Sequence, residues 1–93
     1  MAARHLSSQA MVKRRDRLAL FSAILLLAST GANKTELMYR VGLSTAQGDK
    51  YIQMLVRSRL LEISDNSGKT VYRTTKKGKK FVDTFCTLVN LLD

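Results

Sequence analysis

The chain contains no proline and no tryptophan, and its 93 residues include one cysteine, one histidine and five glycines. With Cys86 alone, an internal disulfide is excluded, and there is no thiolate cluster for zinc or iron–sulfur binding. His5 has no second ligand at metal spacing, so neither a metal nor any other cofactor is expected. The lack of proline and the few glycines, beside a hydrophobic content of 45%, suit a compact and mainly helical single domain rather than a disordered chain. No long hydrophobic run is present: Leu18 to Ala28 is about half the ~20 residues needed to span a bilayer. That run follows Lys13-Arg14-Arg15-Asp16-Arg17 and so imitates a signal peptide, but cleavage there would discard the helix that best completes a core. No membrane partner and a cytoplasmic, nucleoid-associated location are therefore expected. Catalytic patterns are missing too, with no nucleophile beside a spaced base, no phosphate loop and no carboxylate pair, so no enzyme is expected.

What the chain has in excess is positive charge. Sixteen Lys and Arg against seven Asp and Glu give a formal charge of +9 and a pI near 10.2. Such an imbalance attracts polyanions, of which nucleic acid and an anionic membrane surface are the natural examples. Glu36 and Glu62 are expected to balance neighbouring surface cations.

The apolar pattern divides the chain into elements. Residues 1–10 carry no clear period and are expected to form a mobile basic arm, with residues 11–93 forming the domain. A first helix from Met11 or Lys13 to about Ser29 is apolar nearly all round, which implies burial on more than one side, and Gly31 provides its stop signal. A second helix over Lys34 to Val41 places Leu37, Met38 and Val41 on one face. Gly42-Leu43-Ser44 is a short turn in which Ser44 can cap a third helix, Thr45 to about Arg59. In that helix Gly48, Ile52, Leu55 and Arg59 share a face, and Gly48 implies close contact with the second helix. Two helices joined by a Gly-containing turn of this length have helix-turn-helix spacing.

Leu61-Glu62-Ile63-Ser64 and Thr70-Val71-Tyr72-Arg73-Thr74 alternate or are β-branched, and Asp65 to Lys69 between them supplies turn residues. Ile63 and Tyr72 are expected to hold this hairpin to the core. Thr75 can cap a terminal helix over about 76–92, in which Phe81, Phe85, Leu88 and Leu92 form a heptad-like seam. Beside it runs a second stripe of Val82, Cys86 and Val89, with Cys86 expected as a small core residue. The predicted class is α+β, a winged helix-turn-helix of order helix, helix, helix, strand, strand, helix. The surplus apolar surface on its first and last helices predicts a homodimer through the terminal helix.

Leu60-Leu61-Glu62, the hairpin, Tyr72-Arg73-Thr74-Thr75-Lys76-Lys77-Gly78 and a terminal apolar helix resemble the winged-helix regulators of archaea and bacteria. With Lys13-Arg14-Arg15-x-Arg17-Leu18, Gly42-Leu43-Ser44 and Lys50-Tyr51-Ile52, the chain resembles the archaeal family of small, basic, ten-kilodalton winged-helix proteins over about residues 12–92. This resemblance implies double-stranded DNA binding, usually as a dimer joined through the last helix. The chain departs from the family pattern at Thr74, where an apolar residue is usual, and at Lys76, where an acidic one is frequent.

The residue types assign candidate contacts. Ala46, Gln47, Lys50, Gln53, Met54 and Arg57 lie on the face of the third helix opposite its core, and of these all but Met54, with Ser44 and Thr45 at the helix start, are the candidate DNA contacts. Gln can pair with adenine edges, and Lys or Arg can reach guanine or phosphate. A solvated helix face would have a similar composition. In the wing, Lys69 and Arg73 can meet phosphate or the minor groove, although edge strands also carry lysine against aggregation. Lys76, Lys77, Lys79 and Lys80 stand at a helix start, where the macrodipole disfavours cations, so phosphate contact or solubility must account for them. Arg14 and Arg15 are placed with them. The expected function is a transcription regulator with residues 45–59 in the major groove and the wing 61–74 at the backbone or minor groove. The alternatives are an architectural, chromatin-like DNA-coating protein and a protein-docking winged helix of the transcription machinery.

Overall fold

A computed structural model describes residues 17–92. The expected basic arm, the start of the first helix, and Arg14 and Arg15 all lie outside the described residues. The order is α1 (17–27), α2 (Lys34–Val41), α3 (Thr45–Arg57), β1 (Leu61–Asn66), β2 (Lys69–Thr74) and α4 (Lys76–Leu92). This is the predicted α+β sequence of elements.

Phe21, Ile24 and Leu25 of α1, with Ala28 just past its end, recur at helical spacing and are buried together with Leu37 of α2, Ile52 and Leu55 of α3, Leu60, Leu61, and Val82 of α4. Burial of α1 reaches more than one side, with Ser22 buried as well and Leu20 and Leu27 packed on the core, and the exception is one strip of the helix. Leu18 and Leu26 remain 36% and 56% exposed.

The helix ends explain why the elements stop where they do. Asn33 caps α2 by accepting from the Glu36 amide at 2.7 Å. At the other end Gly42 takes the left-handed conformation (φ 78°) that lets its amide and that of Leu43 satisfy α2 carbonyls. Ser44 then caps α3 through the Gln47 amide at 3.2 Å. The expected run of α3 to Arg59 is corrected: the helix ends at Arg57, and Arg59 adopts φ 63°. There the Arg59 and Leu60 amides donate back to Val56 and Leu55, a Schellman closure that normally uses glycine.

β1 and β2 form an antiparallel hairpin with Leu61 opposite Thr74 and Asn66 opposite Lys69. The strands run closer to the tip than expected, leaving a two-residue turn in which both Ser67 (φ 56°) and Gly68 (φ 79°) have positive φ. Tyr72 anchors the hairpin by exchanging both backbone hydrogen bonds with Ala32, at 2.8 and 2.9 Å. Ile63 does not share that role. It pairs with Tyr72 but sits further out along the wing than Leu61 and is 53% exposed. Buried Thr74 donates its hydroxyl to the Leu25 carbonyl at 2.5 Å, tying β2 to the last turn of α1.

Candidate nucleic-acid interface

The α2–α3 pair is set by one close approach. Gly48 faces α2 so tightly that a Cβ there would overlap the Met38 side chain. With Gly48, Ile52 and Leu55 buried, helical geometry leaves Thr45, Ala46, Gln47, Lys50, Gln53 and Arg57 exposed, together with the cap Ser44. Lys50, Gln53 and Arg57 are spaced three and four apart and form a single outward stripe. Met54 does not belong with them, because it is half-buried and packs on the core. Gln47 is partly committed, since the Ser44 hydroxyl also donates to its side-chain oxygen at 3.4 Å. Its amide hydrogens are left to point outward.

In the wing, Lys69 is exposed at the start of β2, beside the tip. Arg73 is exposed as well, but its guanidinium folds back over the loop before α2, where a Cβ on Gly31 would lie 3.2 Å from its Nη2.

Lys76, Lys77, Lys79 and Lys80 are all exposed, and the first turn of α4 holds no acidic residue. The four are not equivalent. Lys77 Nζ donates to the Ser58 carbonyl at 2.9 Å, at the C-terminus of α3, where a helix favours a cation. The expectation that this whole run opposes a helix dipole is thereby corrected for Lys77. Around it, Thr75 accepts from the Gly78 amide at 3.0 Å and donates to the Arg59 carbonyl at 2.6 Å. A Cβ on Gly78 would strike the Leu60 carbonyl oxygen. The start of α4 is therefore clamped onto the end of α3.

The terminal seam divides in the same way. Phe81 is half-buried against the core of its own chain, and Phe85 reaches a groove lined by Ala19, Ala23 and Leu26 of α1. Leu88 and Leu92 are exposed, as is Leu91. Cys86, expected in the core, is exposed instead, because it lines the same open groove beside Ala19, Ala23 and Leu26, which no side chain fills.

One contact escaped sequence reasoning. Lys34, the first residue of α2, forms an ion pair with Asp49 on α3. The hydrogen bond to Asp49 raises the Lys34 pKa above the ordinary lysine value. The available signal was that Asp49 is the only acidic residue of α3. Among the described residues no group of His, Cys, Asp and Glu could hold a metal ion, and no helix is long and apolar enough to cross a membrane.

Similarity to known proteins bears on this geometry. A family model for the winged helix-turn-helix matches residues 14–93. Among solved structures, the chain is similar to Sso10a-2, a DNA-binding protein from Sulfolobus solfataricus, at 21% identity and a TM-score of 0.69, covering 80% of this chain and 78% of that one. F-93 of SSV1 is also 21% identical, with a TM-score of 0.65 over 82% of this chain and 88% of that one. A variant of MepR from S. aureus bound to an oligodeoxyribonucleotide has 11% identity and a TM-score of 0.71, covering 98% and 76%. These likenesses are likenesses of fold. Comparison with curated protein sequences gives no match. Across the whole of its described length, from the core helices to the clamped terminal helix, this chain belongs to the winged helix-turn-helix family.

Proposed function

We propose that this winged helix is a transcription regulator that binds double-stranded DNA, with the N-terminal half of α3 in the major groove. The observation that carries this reading is the α3 face itself. Ser44, Thr45, Ala46, Gln47, Lys50, Gln53 and Arg57 are exposed together because Gly48, Ile52 and Leu55 are committed to the core. Hydrogen-bonding and cationic side chains at the start of a rigid helix are what base-edge readout needs. Lys69 and Arg73 of the wing, with Lys76, Lys79 and Lys80 of α4, would meet phosphate, and the net charge of +9 favours association with any duplex.

A homodimer is part of the proposal. Leu88, Leu91 and Leu92 on α4 and Leu18 and Leu26 on α1 are apolar surface that a single copy leaves to solvent. The same lysines also favour the architectural reading, a nucleoid-associated protein that coats DNA with little sequence preference. The two readings differ in the ratio of specific to non-specific affinity.

Binding to random-sequence duplex DNA across a salt series tests the proposal. Several phosphate contacts give a logarithmic slope of several units, about 0.9 per contact. Absence of binding at low salt would refute DNA recognition and leave α3 as a protein-docking surface. A selected sequence bound no tighter than random duplex would leave the architectural role.

A further inference from the structure

The Lys34–Asp49 ion pair lies between the two helices of the helix-turn-helix, and it is not accounted for by the fold alone. Lys34 is the first residue of α2, where the helix macrodipole disfavours a cation. Asp49 is the only carboxylate on α3, whose outward face is otherwise neutral or cationic. Lys34 is unfavourable at its own position, and Asp49, in the N-terminal half of α3, compensates it. Both side chains are partly exposed, at 40% and 41%, while the Asp49 Oδ1 that meets Lys34 is itself covered.

We infer that Asp49 acts as an intramolecular substitute for a DNA phosphate, occupying the Lys34 ammonium and restraining sequence-independent binding. This rests on the DNA-binding reading above. A carboxylate and a phosphate compete for the same ammonium, because both are anionic acceptors of its N–H donors. While Asp49 holds Lys34, this part of the surface contributes no net charge toward a polyanion. A phosphate that takes Lys34 must displace Asp49, which then faces DNA uncompensated. The pair thus lowers affinity for any backbone without touching the Thr45, Gln47 and Lys50 stretch that would read bases. Asp49 is a positioning residue that acts through Lys34.

The test uses the full chain and a random-sequence duplex, with affinity measured across a salt series for the natural protein, Asp49→Asn, Lys34→Gln and the double variant. Freeing one ammonium for one phosphate steepens the logarithmic salt slope by about 0.9 and raises affinity on the order of five- to tenfold at 0.1 M salt. In the Lys34→Gln background the same Asp49→Asn change should give less than a twofold gain. Asp49→Ala is a second way to free Lys34 and should match Asp49→Asn. An unchanged slope in Asp49→Asn overturns the inference while leaving DNA binding intact. An equal gain in both backgrounds also overturns it, since the effect would then be general loss of negative charge. If the natural protein fails to bind duplex at low salt, both this inference and the function it rests on fall together.

Discussion

Replacing Gly78 with alanine should destabilise the protein, although the same change in most helices stabilises it. Gly78 lies in the first turns of α4, where alanine is normally favoured by about 1 kcal/mol. Here an added Cβ would overlap the Leu60 carbonyl oxygen and come within 2.6 Å of Thr74 Cγ2. Neither can yield cheaply. The Leu60 carbonyl already accepts the Thr75 amide at 3.0 Å, and the Thr74 hydroxyl is held by Leu25. Overpacking against such neighbours costs about 1–3 kcal/mol, and backbone contact argues for the upper half of that range. The net loss should be about 1–2 kcal/mol, or roughly 4–16 °C in melting temperature for a domain of this size. Thermal denaturation followed by circular dichroism measures it. Gly48→Ala is the internal comparison, because there the obstacle is the flexible Met38 thioether, which can rotate away. A melting temperature that rises in Gly78→Ala, or falls further in Gly48→Ala, would refute this account of the α3–α4 clamp.

Other outcomes can be checked alongside. Thr74→Val removes the donor to the buried Leu25 carbonyl and should cost about 1–3 kcal/mol in chemical denaturation; an unchanged midpoint would mean that this bond contributes nothing. Arg59→Gly relieves a non-glycine residue at φ 63° and should raise stability by up to about 1 kcal/mol, read from the same curves. In duplex binding, Lys79→Ala should weaken all sequences alike and lower the salt slope by about 0.9, whereas Lys50→Ala should change the order of preferred sequences. Leu88→Glu places a charge on the exposed face of α4 and should shift sedimentation to the monomer while leaving the helical content unchanged.

Much of the fold could be read from local chemistry. Although α1 ends at residue 27, four residues before the expected stop at Gly31, Ser44 and Thr75 cap the helices they precede, and Gly48 takes the close approach to α2. These are short-range features, set by one side chain and a backbone a few residues away. Failures of the reading cluster where a distant element decides. Ile63 alternates correctly for a buried strand position, yet the core ends beneath Leu61. Cys86 fits an apolar stripe, yet that stripe faces α1 across an open groove instead of packing on it. Lys77 differs from Lys76 and Lys79 only in having the end of α3 beside it, and the lone acid of α3 does not by itself name Lys34, which lies on a different helix. For the candidate interface, the exposed residues of α3 followed from periodicity, while their individual commitments, such as Gln47 to Ser44, did not.

The grip of Thr75, Lys77 and Gly78 on the end of α3 makes α3 and α4 behave as parts of one lever. A partner seated on the far end of α4 would then fix not only that two copies meet but how far apart and at what angle their α3 helices stand. Each residue of helix adds a rotation of about 100° and a rise of about 1.5 Å. One residue inserted into the distal half of α4 would therefore swing the second copy around the first while leaving every exposed side chain of α3 in place. In the proposed dimer, the separation of the half-sites on DNA would be written in the phase of α4.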